Sequence, residues 1–148
     1  MAFDSTIPLL LSLLIGPGHM DHMALEEPLR LTDPTRFAKA GEAYFDPDGR
    51  RIIFQAIEHP ADGSEPEEIY AMFLGTLAFD EAGAVIGLDR ITQLSPPRSA
   101  NTCGWFHPDN DDIVLFATTM SPPRPGKVPG YQRDTGRYRW MFPPGMDI

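Results

Sequence analysis

The stretch AYFDPDGRRIIFQA, residues 43–56, returns as GWFHPDNDDIVLFAT, residues 104–118. Within a chain of 148 residues this internal repeat limits the fold more than any other feature. Each copy must be one supersecondary unit, and its apolar face has to be covered by a neighbour. The recurrence extends beyond the two stretches. Leu31-Thr32 returns as Ile91-Thr92, Tyr44-Phe45 as Trp105-Phe106, Pro47-Asp48 as Pro108-Asp109, and Phe54-Gln55-Ala56 as Phe116-Ala117-Thr118. The spacing is about sixty residues and drifts by a residue or two, as loop insertions would cause.

Each copy reads as a strand, a tight turn and a second strand. In FDPDGR, Asp46 suits the first turn position, Pro47 presets φ at the second, Asp48 takes the third and Gly49 the fourth. The second copy has FHPDND, with Asn110 in the place of Gly49. Asparagine tolerates positive φ best after glycine, so the turn is expected to be kept. RIIFQA and DIVLFAT follow, rich in β-branched and aromatic residues, and read as buried strands.

EIYAMFL, residues 68–74, supplies a third strand, with Ile69 and Tyr70 at its start, behind the polar loop EHPADGSEPE. VIGLDRIT, residues 85–92, supplies a fourth after the turn FDEAG. Sixteen prolines and thirteen glycines interrupt the chain too often for long helices. The expected fold is therefore all-β: an incomplete β-propeller of about one full four-stranded antiparallel blade plus part of a second.

Two segments precede and interrupt this pattern. Residues 1–29 form an N-terminal apolar segment, and residues 30–148 the repeat region, with the first repeat at 30–92 and a partial second at 93–148. The apolar run IPLLLSLLI, residues 7–15, is too short to span a bilayer as a helix, so no integral membrane span is expected. Its length suits a signal-peptide apolar region, whereas Asp4 and the lack of Lys or Arg before it suit a short buried or interfacial helix. Localisation divides accordingly: periplasmic or secreted with a signal peptide, cytoplasmic without one. The second interruption is SPPRPGKVPGYQRDTGRYRWMFPPG, residues 121–145, which reads as an elaborated loop or a tail. Its aromatics Tyr131, Tyr138 and Trp140 are the partner-binding candidates.

Taken together, AYFDPDGRRIIF, EIYAMF, DRIT and GWFHPDNDDIVLF resemble the repeat of the TolB-like, WD-related β-propellers. The resemblance covers roughly residues 30–120 and rests on Tyr44, Phe45, Pro47, Asp48, Gly49, Phe54, Ile69 and Tyr70 in one copy, and on Trp105, Phe106, Pro108, Asp109 and Phe116 in the other. It implies a non-enzymatic module for protein–protein interaction or scaffolding, with a protein or peptide partner. An alternative in another class is a remnant of the substrate-gating propeller of an S9-type serine peptidase. The chain departs from the pattern where Asp46 and His107 replace the usual serine before Pro-Asp. Closed propellers need about four to eight blades, so the chain is expected to be a fragment of a larger propeller or to self-associate through exposed blade edges. Met146-Asp147-Ile148 falls where the third strand of the second copy would begin.

Charge and motif content narrow the chemistry. A formal net charge of -9 speaks against nucleic acid, whose binding rests on clustered Lys and Arg. No G-x-S-x-G elbow or phosphate-binding glycine loop occurs. His19 and His22 share a face only if their segment is helical, and two ligands do not make a metal site. His107 lies near the only cysteine, Cys103, but the repeat assigns it to the turn-opening position of Asp46. Asp109, Asp111 and Asp112 with Asn110 read as a solvated turn, since the ligand spacing of a calcium loop is missing. No catalytic residue, metal or cofactor is expected.

Overall fold

The computed structural model describes residues 27–123, 130–132 and 139–148. Its elements are strands throughout: β1 Phe37–Phe45, β2 Arg51–Glu58, β3 Ala71–Phe79, β4 Val85–Gln93, β5 Asn101–His107, β6 Asn110–Thr118, β7 Gly130–Gln132 and β8 Arg139–Met141. The first four form one antiparallel sheet in the order β1-β2-β3-β4, β5 pairs with β6, and β7 pairs with β8. The apolar run at residues 7–15, His19 and His22 lie outside the described residues. Among the described residues no helix is long and apolar enough to cross a membrane.

The first sheet is apolar on both faces of its central strand. Ile52, Phe54 and Ala56 point to one side of β2 and Ile53 and Ile57 to the other, and all five are buried. On the first side Phe37 meets Phe54 and Phe73 edge-on, with ring centroids 6.0 and 5.3 Å apart, while Phe54 and Phe73 stack at 5.6 Å. Leu31, Leu88 and Ile91 pack against this cluster. Each such buried aromatic contributes roughly 1.5–3 kcal/mol of transfer free energy, so the cluster holds β1, β2 and β3 together.

The other side of β2 receives the second strand pair. After β4 the chain turns back: the Leu94 N–H donates to the Met72 carbonyl at 2.8 Å, and the Ser95 hydroxyl accepts the Met72 N–H at 3.0 Å. Asn101 then donates its backbone and side-chain N–H groups to the Tyr70 carbonyl at 3.1 and 2.9 Å. These bonds carry β5 back over β1, β2 and β3. Tyr70 and Ile69 therefore do not lie within the third strand as expected. β3 begins at Ala71, because the Tyr70 carbonyl is committed to holding β5.

Between the packed layers Gln55 is buried, and among the described residues its side-chain carbonyl has no hydrogen-bond partner. An orphaned buried acceptor costs about 1–3 kcal/mol. Gln55→Met keeps the unbranched shape without the acceptor, and is expected to raise the melting temperature by roughly 3–5 °C in a thermal scan. An unchanged or lower midpoint would show that the amide is satisfied there.

Candidate interaction site

The two strand pairs share one defect at equivalent positions. In β1 and β2, Gly41 pairs with Gln55 and Tyr44 with Ile53, so β1 carries one extra residue. In β5 and β6, Thr102 pairs with Ala117 and Trp105 with Leu115, which leaves the same extra residue. The bulged residues Glu42 and Cys103 both have positive φ, 45° and 55°. Neither is glycine, and non-glycine residues rarely adopt that conformation. Two of them at equivalent positions mark one bulge built twice.

The bulges touch. The Thr102 hydroxyl donates to the Glu42 carboxylate at 3.3 Å, and the rings of the equivalent aromatics Tyr44 and Trp105 meet at a tilt of 32° with centroids 4.1 Å apart. Beside them Gly104 lies so close to the first sheet that a Cβ on it would sit 2.7 Å from the Ile53 Cδ1 and 2.8 Å from the Met72 Sδ. A glycine inside a strand often marks such an approach.

At the turn end Arg51 joins the two copies. Its Nε donates to the Asp46 carboxylate at 2.9 Å, and its Nη2 donates to the Asp111 carbonyl at 2.8 Å and to the Asp111 carboxylate. Asp112 lies 3.6 Å from Nη1, and the guanidinium carbon sits 5.6 Å from the Phe106 ring centroid. Asp46 also accepts the Arg50 and Arg51 N–H groups at 2.7 and 3.0 Å. Burial pushes the Asp46 carboxyl up, but the Arg51 and Arg50 N–H bonds and the Arg51 charge outweigh it and hold the group below the usual carboxylate range. The same carboxylates hold the Arg51 guanidinium above its ordinary value.

The turns themselves differ. Gly49 has φ 65° and donates to the Asp46 carbonyl at 3.0 Å, as the sequence predicts. Asn110 does not take over that conformation: it is already in β6, paired with His107, and the loop is reduced to Pro108 and Asp109. His107 accepts the Asp109 N–H on Nδ1 at 3.1 Å, while the Cys103 sulfur lies 3.5 Å from the Thr102 hydroxyl. Cys103 is exposed. Among the described residues no group of three metal-ligating side chains converges.

Of the partner-binding candidates, Tyr131 and Trp140 stand opposite each other in the β7–β8 pair, and Tyr138 lies outside the described residues. Asp147 forms an antiparallel bridge with Thr118 of β6, at 2.8 and 3.0 Å. Where a third strand was expected, Asp147 meets the end of β6 in a single bridge and not in a strand.

The acidic loop at residues 59–70 opens on a groove of about 640 Å³ lined in part by Glu58, Asp62, Glu67 and Arg98. Two of its carboxylates are paired, Glu58 with Arg36 at 2.7 Å and Glu67 with Arg98 at 3.1 Å. Nearby Glu68 pairs with Lys39 at 2.6 Å.

Comparison with protein families, curated proteins and solved structures gives no match for this chain. What the site can do therefore rests on its own geometry. Sequence reasoning placed the repeat but missed Arg51 and Gly104. The signals available were a glycine inside a strand pattern and the reversal of charge between the two turns.

Proposed function

We propose that this chain is a non-enzymatic, propeller-type scaffold of TolB-like repeats that binds a protein partner. The carrying observation is that β5, which repeats the bulge of β1, packs over β1, β2 and β3, reached by a chain that returns from the outer strand β4. Propeller blades pack in this manner and expose loops and outer faces to partners.

In this reading the 121–145 segment with Tyr131, Tyr138 and Trp140 supplies the partner contacts, as aromatics are enriched at interface centres. A chain with all three changed to alanine is expected to lose at least one specific partner in a quantitative pull-down while keeping its melting temperature. An unchanged set of partners would remove these residues from the role.

A further inference from the structure

The stack of two copies leaves open, at either end, the surfaces that the copies use against each other. The ladders make the comparison residue by residue for Ala43 with Gly104, Phe45 with Phe106 and Ile53 with Leu115, and counting back along the second strands sets Arg50 against Asp112 and Arg51 against Ile113. In the first copy Ile53 is the residue on which Gly104 lands, and it is fully buried. Its counterpart Leu115 is 47% exposed, as is Ile113, the counterpart of Arg51. Among the described residues nothing covers Leu115 and Ile113 on the receiving face of the second copy.

The incoming face of the first copy is open at its turn end. Phe106 of the second copy lies against Arg51, whereas Phe45 is 63% exposed and Ala43, the counterpart of Gly104, is exposed too. Repeating the internal packing would set Ala43, a small residue, over Leu115, and Phe45 against Ile113. The charges also match. Arg50 would land beside Ile113, next to the exposed carboxylate of Asp112. An acidic turn thus meets a basic one, as Asp111 and Asp112 meet Arg51 inside the chain.

We propose that a second copy of this chain docks head to tail, its Ala43, Phe45 and Arg50 on the Ile113, Leu115 and Asp112 face of the first. The contact is heterologous, so it builds a ring or an open array rather than a symmetric dimer. The inference rests on the stacked-repeat reading and adds its partner. It differs from pairing of strand edges because sheet faces, not backbone edges, make the contact.

Sedimentation velocity and light scattering on the full chain over a wide concentration range test it. The wild-type chain is expected to grow in mass with concentration, and Leu115→Asp and Phe45→Asp each to stay monomeric. These positions are exposed, so circular dichroism should show both variants folded. An equimolar mixture of the two variants retains one intact pair of faces and is expected to form a 1:1 complex. Arg50→Glu should weaken wild-type association about tenfold, and adding Asp112→Arg should recover most of it.

A wild-type chain that stays monomeric at every concentration would overturn the proposal. So would association that survives both Asp variants, or a mixture that gives no complex. If Gly104→Val leaves stability unchanged, the stacked-repeat reading itself fails. If that variant is destabilised and the mixture still gives no complex, only the docking of a second copy fails.

Discussion

Gly104→Val is expected to lower the melting temperature by roughly 10 °C, the consequence of about 3 kcal/mol of overpacking. A Cβ at this position would meet the Ile53 Cδ1 at 2.7 Å, the Met72 Sδ at 2.8 Å and the Ile53 Cγ1 at 2.9 Å. Ile53 and Met72 are fully buried, so neither has an open direction in which to retreat. Valine adds two methyl groups to that clash and forces β5 away from the sheet. Ile53→Val removes the nearest carbon and costs about 1 kcal/mol alone. Combined with Gly104→Ala it should recover about 1 kcal/mol relative to the sum of the single changes. Urea unfolding of the four chains measures the coupling. A Gly104→Val chain with the wild-type midpoint would show that the strand pair does not rest on Ile53.

What the sequence made legible follows from which contacts are local. The FDPDGR turn could be read because Asp46, Pro47 and Gly49 fix their own backbone, and the Gly49 N–H does bond to the Asp46 carbonyl. The strands of the first sheet could be read from β-branched and aromatic runs. The all-β architecture follows from the two together. The bulge could not be read, because neither Glu42 nor Cys103 is a residue type that signals positive φ. Asn110 misled for the complementary reason. Its tolerance of positive φ is a permission, and pairing with His107 made it unnecessary. The third strand was placed early because Ile69 and Tyr70 have strand character, while the Tyr70 carbonyl is drawn off by Asn101, thirty-one residues away. Nothing local in the sequence marks Arg51 out. Its role depends on Asp111, which only the fold brings near.

Arg51→Leu is expected to cost about 3 kcal/mol at neutral pH, because it strands a buried carboxylate. The Asp46 side chain is 1% exposed, and Arg51 is the cation that pairs with it. The Arg50 and Arg51 N–H bonds remain in the variant, so the turn should still form, but the charge is no longer balanced. Arg51→Leu combined with Asp46→Asn removes both charges and should be more stable than Arg51→Leu alone. The pH dependence separates this account from a loss of packing against Phe106. In the wild-type chain the Asp46 carboxyl is held low, so its contribution is complete above the unfolded value of about 3.9 and is lost as pH falls through the lower folded value. In Arg51→Leu only the Arg50 and Arg51 N–H bonds oppose burial, so the carboxyl rises relative to the wild-type chain. Protonation then relieves the variant as pH falls. The gap in unfolding free energy between the two chains should therefore narrow between pH 7 and pH 4. A gap that stays constant over that range would assign the loss to packing and take Asp46 out of the argument.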